Sequence, residues 1–284
     1  MTRMNQRGTQ VLTSQTTTDE LAERAEAELN AIIAQYAAGE AEVVRAYFER
    51  PHSPKENLDV LLRQMGREIQ AANRLRPAVE MFAQLEVSVD RHDFADYLEH
   101  IAEEAEHYAI LADLAEWVAG RKLAADEARR YEIYARWVPG QGEEKEMNSL
   151  LPEANRHMEV SRALVAELGF ALADPLSRLS EGGGGGSYIE CMRLSGDEFR
   201  DRLAAAMRRI LQDEIHHGPK RVHGFARDWV KTADDVDTAT RWLRAYMAQH
   251  LRMRNEIWNY PLSAERLAAI DRGEVAPFDP TIDL

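Results

Sequence analysis

The chain holds one cysteine, Cys191, in 284 residues, which rules out an intramolecular disulfide and any thiolate-rich metal site. A lone thiol fits a reducing compartment, so the cytoplasm is the expected location. Positive charge is also scarce: 35 Lys and Arg stand against 49 Asp and Glu, for a formal net charge of −14. Nucleic acid and anionic membrane surfaces are therefore disfavoured partners, because no local basic patch offsets the overall repulsion. No run reaches the roughly 18 apolar residues of a membrane span, and the polar segment 1–18 lacks the apolar stretch of a signal peptide. No glycine-rich dinucleotide fingerprint occurs, so the chain carries no sign of its own flavin or nicotinamide. β-Branched runs are few, and Glu, Ala, Leu and Arg dominate, which predicts an all-α fold.

The predicted organisation is an irregular N-terminus over 1–18, one helical domain over 19–272 with its core bundle at about 57–231, and a C-terminal tail over 273–284. Asp19 opens an added outer helix that Pro51 and Pro54 bring to an end near Phe48. Helical periodicity then predicts segments at 57–86, kinked at Pro77, and from about 91 to 118, forming an antiparallel hairpin. Residues 122–142 hold a shorter crossover helix. Long helices follow at 145–173, with Pro152 as an alternative first turn, and at 196–230; shorter ones lie near 237–259 and 264–272. Between the long helices, Gly182–Gly186 and Ser187 read as a flexible loop, either native or an inserted linker.

What stands out against this background is a pair of Glu-x-x-His motifs, Glu104 with His107 and Glu214 with His217, 110 residues apart. A Glu and a His three apart on a helix project from one face and can share an ion. Spacing alone is weak, since 31 Glu and nine His yield about one such pair by chance, and a third copy, Glu49 with His52, has Pro51 between its members. Helical phase separates them. Glu104 shares a stripe with Ile101, Tyr108 and Leu111, and Glu214 one with Leu203, Met207 and Ile210. A carboxylate facing the core costs several kcal/mol without a partner or a metal.

Two more carboxylates are sought at similar depth on the partner helices. Glu68 lies between Met65 and Ala72 on an apolar face, 36 residues before Glu104, with Glu80 in reserve. On the 145–173 helix Glu153 borders the buried side, and His157, within it, is an extra ligand or a supporting group. Tyr97 and Tyr108 are candidates to line a substrate pocket and Arg221 to attract an anionic substrate, although core packing and a solvated face account for such residues more often. Four carboxylates with two imidazoles suit iron or manganese.

The arrangement resembles the ferritin-like di-iron carboxylate superfamily, whose pattern is Glu, Glu-x-x-His, Glu, Glu-x-x-His across four helices. The matching residues are Glu68, then Glu104 and His107, then Glu153, then Glu214 and His217, within about 57–231. The resemblance implies a ferritin-like four-helix bundle with a long crossover and added N- and C-terminal helices. It also implies two iron ions and O2 as co-substrate. The length beyond a minimal bundle points to an oxygenase or oxidase acting on a small or carrier-linked organic substrate by hydroxylation, N-oxygenation or desaturation. Electrons would then come from a ferredoxin, a reductase or the substrate, and a homodimer is left open. A radical-generating reductase subunit is disfavoured, since Leu111 stands where its Tyr is expected. Manganese catalase or a ferroxidase is the redox alternative; a metal-free helical binding or scaffold protein is the alternative of another class.

Overall fold

The computed structural model describes residues 7–68, 71–132, 137–138, 142–143, 150–214 and 218–281, with side chains at all of these except 7–18, 71–76, 128, 137–138, 142–143, 182–184 and 218–220. The described chain is all-α apart from a two-residue antiparallel pair, β1 (Trp137–Val138) with β2 (Gly142–Glu143). None of the helices among the described residues is long and apolar enough to cross a membrane.

The first helix, α1 (Arg7–Phe48), begins inside the segment expected to be irregular and is not an outer addition. Ala25, Leu29, Ile32 and Tyr36 form one buried stripe, and Ala37, Ala41 and Val44 form another beside it. A helix apolar on more than one side has to be enclosed. It is enclosed by α8 (Ser180–Met192), α10 (Gly218–Trp229), α11 (Ala233–Ile257) and α12 (Ala264–Asp271).

The expected hairpin is present as α2 (Pro54–Glu68) and α3 (Ala71–Ala83), both packed against α4 (Arg91–Ala119). Asp90 caps α4 by accepting the His92 N–H at 2.7 Å, and Gly120, at φ 65°, ends it in the left-handed conformation glycine tolerates. In the crossover, α5 (Ala125–Arg129) and the β pair replace the single predicted helix.

The helix expected over 145–173 is α6 (Pro152–Leu168), with proline at its first position where the lost N–H costs nothing. Its own N-cap, Leu151, offers no side-chain acceptor. Glu256 of α11 supplies one, taking the Glu153 and Ala154 N–H groups at 2.9 and 3.1 Å. This holds α6 against α11 and the short α7 (Phe170–Arg178), rather than in a bundle with α2 and α4.

The glycine run proves to be helical. Residues 182–186 lie inside α8, which packs against α1 and against α9 (Glu198–Glu214). Glycine in a helix interior costs about 1 kcal/mol relative to alanine, so its placement needs a reason. At Gly186 the reason is contact: a Cβ there would collide with the backbone of Ala37. The two helices meet backbone to backbone, and only glycine fits. Gly185, with nothing within 4 Å of an added Cβ, is different. Gly186→Ala should therefore destabilise by at least about 1–3 kcal/mol, whereas Gly185→Ala should stabilise by about 0.5–1 kcal/mol. Urea unfolding of the two variants checks this, and equal effects would mean that the helix contact is absent.

Candidate metal centre

Glu68 ends α2, and Glu104 and His107 sit one turn apart near the middle of α4. All three are sealed from solvent, at 1%, 3% and 2% exposure. One ligand atom from each lies within 4.8 Å of the other two. An ion with ligand bonds of about 2.0–2.2 Å would draw them closer together. The donors are two carboxylates and an imidazole, with no thiolate.

The His107 ring is aimed by α9. Its Nε2 lies 3.2 Å from Asp213 Oδ2, and the other oxygen of Asp213 accepts from Arg209 at 2.7 Å. With Asp213 accepting a hydrogen bond from Nε2–H, the lone pair falls on Nδ1. That nitrogen is buried, makes no hydrogen bond, and has Glu214 Oε1 3.9 Å away. An imidazole nitrogen left in this state, facing carboxylates, fits a cation.

Glu68 is held more tightly. Its Oε1 accepts from Gln64 Nε2 at 2.5 Å, Arg67 Nη1 at 2.7 Å and the Tyr188 hydroxyl at 3.2 Å. Burial alone would raise its pKa, but the Arg67 guanidinium beside it, with Arg254 further off, holds it below the ordinary carboxylate value. Burial pushes the Tyr188 phenol up to about 12, so it remains a proton donor.

The other expected residues are placed as follows. Glu214 is largely buried at the end of α9, facing His107; His217 lies outside the described residues. Glu153 is not brought to the group: its carboxylate holds Arg156 and the Gln249 amide. Amphipathic phase marked its buried side correctly, but that side meets α11. Glu80 is exposed on α3. Tyr97 is partly exposed, and Tyr108 packs against the core. Arg221 of α10 pairs with Glu181 of α8.

Two residues the sequence reading passed over come into view. His100 lies one turn before Glu104, with Nε2 3.7 Å from its Oε1. The signal was a three-and-four step on one stripe, His100, Glu104, His107. Glu181, largely buried on α8, precedes Glu214 by 33 residues, close to the 36 between Glu68 and Glu104. The neighbouring glycines, read as a loop, hid it.

A second buried polar group lies beyond. His157 is sealed at 2% exposure, with its ring 5.4 Å from that of His250 and 4.5 Å from that of Tyr246. His250 Nδ1 is 2.6 Å from Glu40 Oε1. Compared with known proteins, the chain matches no family model, no curated protein and no solved structure.

Burial, with Arg254 and Arg67 nearby, depresses the pKa of both histidines, His157 well below 6.5; at His250 this outweighs the opposing pull of Glu40. Both are neutral at neutral pH. The unfolded chain then binds protons first as pH falls, so the stability is full above about pH 7 and is lost below 6.5, by up to about 2 kcal/mol per histidine at pH 5. The depressed carboxylates Glu40 and Glu68 act only below about 4.5. His157→Phe should flatten the decline in urea midpoint between about pH 7 and 5, and an unchanged slope would remove His157 as its source.

Proposed function

We propose that the chain is a ferritin-like, non-haem iron oxidoreductase that activates O2 to oxidise a small or carrier-linked organic substrate. The observation that carries this reading is the meeting of Glu68, Glu104 and the His107 imidazole in a sealed space, with one ligand atom of each close enough to the others to share an ion. Oxygen and imidazole donors without thiolate suit iron or manganese. When bound there, ferrous iron supplies electrons to O2, which none of these side chains can do. The protein's own part is to neutralise the cation, fix the imidazole through Asp213 and keep water away.

A second ion would take Glu214 and His217. We assign the fourth carboxylate to Glu181 rather than Glu153, because α8 and α9 form the second hairpin and Glu181, largely buried, precedes Glu214 by 33 residues, as Glu68 precedes Glu104 by 36. Re-reduction falls to an external donor, a ferredoxin or a reductase.

One observation favours a metal-free scaffold: Glu68 already has three donors. Anaerobic ferrous loading of the purified chain separates the two, with metal analysis followed by Mössbauer spectra after O2 exposure. About two irons per chain and an oxidised di-iron signature are expected. A folded chain that takes up no metal would establish the scaffold. Preferential manganese uptake with rapid O2 release from peroxide would establish a catalase instead.

Glu104→Ala and His107→Ala should each lose bound iron while remaining folded. Asp213→Asn should keep the fold and weaken iron binding about 10- to 100-fold, because the amide fixes the imidazole less well than a carboxylate does. Isothermal titration of the three variants checks the ranking.

A further inference from the structure

Arg254 of α11 is among the most deeply buried side chains, at 1% exposure, and it is linked to Glu68 through two intermediaries. Its Nη1 donates to Gln64 Oε1 at 2.9 Å and its Nη2 to the Tyr188 hydroxyl at 3.4 Å. Gln64 and Tyr188 in turn donate hydrogen bonds to one atom, Glu68 Oε1. The two routes from a single guanidinium therefore converge on a single carboxylate oxygen. They also set polarity: with Arg254 on its carbonyl, the Gln64 amide must present N–H to Glu68, and with arginines on its lone pairs, Tyr188 has its proton free for the same target.

Arg254 is held in turn. Its Nε lies 3.4 Å from Glu40 Oε2, and Glu40, at 0% exposure, takes His250 Nδ1 on its other oxygen. Burial works against the Glu40 carboxylate, and the His250 N–H with the Arg254 and Arg67 charges more than offsets it, so it stays ionised.

We propose that Arg254, clamped by Glu40, is a positioning residue for Glu68: through Gln64 and Tyr188 it occupies Oε1 and turns Oε2 toward Glu104 and His107 as a single-oxygen ligand. The proposal rests on the metal-binding reading above. It extends the centre across α11, α1 and α8 to residues that never meet the ion. It also gives the three donors on Glu68 a role compatible with metal binding, since they engage one oxygen of two.

Removing one member of a buried ion pair strands the other, whereas removing both is often neutral for folding. The informative variant is therefore Glu40→Gln with Arg254→Met, probed with anaerobic Co(II) titration, the visible d–d spectrum and thermal unfolding. The expected result is a folded protein with Co(II) binding weakened 10- to 100-fold and an altered band pattern, partly restored by Arg254→Lys in the Glu40 background. A folded double variant with the parent's affinity and spectrum would overturn the proposal. Should the double variant not fold, Tyr188→Phe removes one route alone. It should shift the d–d bands and weaken binding several-fold, and an unchanged spectrum would again overturn the assignment. A parent chain that binds no Co(II) refutes the metal reading itself, before any variant is compared.

Discussion

The ion pair between Glu40 and Arg254, 3.4 Å apart with both partners shut away from solvent, links α1 to α11. Through Gln64 and Tyr188 it also links α2 and α8 to them. Two opposite charges in a low-dielectric interior tolerate little displacement, because their desolvation is offset only in good geometry. Four helices from distant parts of the sequence are thereby tied to one register. A core of leucine and alanine alone would allow many nearly equal packings.

The same logic recurs around the candidate ligands. Glu68 sits against Arg67, Asp213 against Arg209 and Glu181 against Arg221. Each of these three carboxylates has an arginine on the same or an adjacent element. Glu104 lies between His100 and His107 on one stripe of α4.

Much of this was legible in the residues. Glu104 interrupts an apolar stripe, and Glu68 does so on the neighbouring helix, which places both inside without any tertiary information. What phase cannot tell is which helix a buried face will meet. Glu153 does lie on the buried side of α6, but that side packs against α11. Glu181 was hidden for another reason. Five consecutive glycines favour a loop by intrinsic propensity, and only the close approach of the Ala37 backbone makes a helix the better outcome. The central position of α1 was masked by its alanines, which mark a tightly packed helix as readily as an exposed one.

Glu256 closes a loop of about a hundred residues when it takes the first N–H groups of α6. Until α11 arrives, those donors have no acceptor in their own segment, so α6 lacks its start signal during chain growth. The α2–α4 hairpin is built from local contacts, whereas the start of α6 depends on a contact about a hundred residues away in sequence.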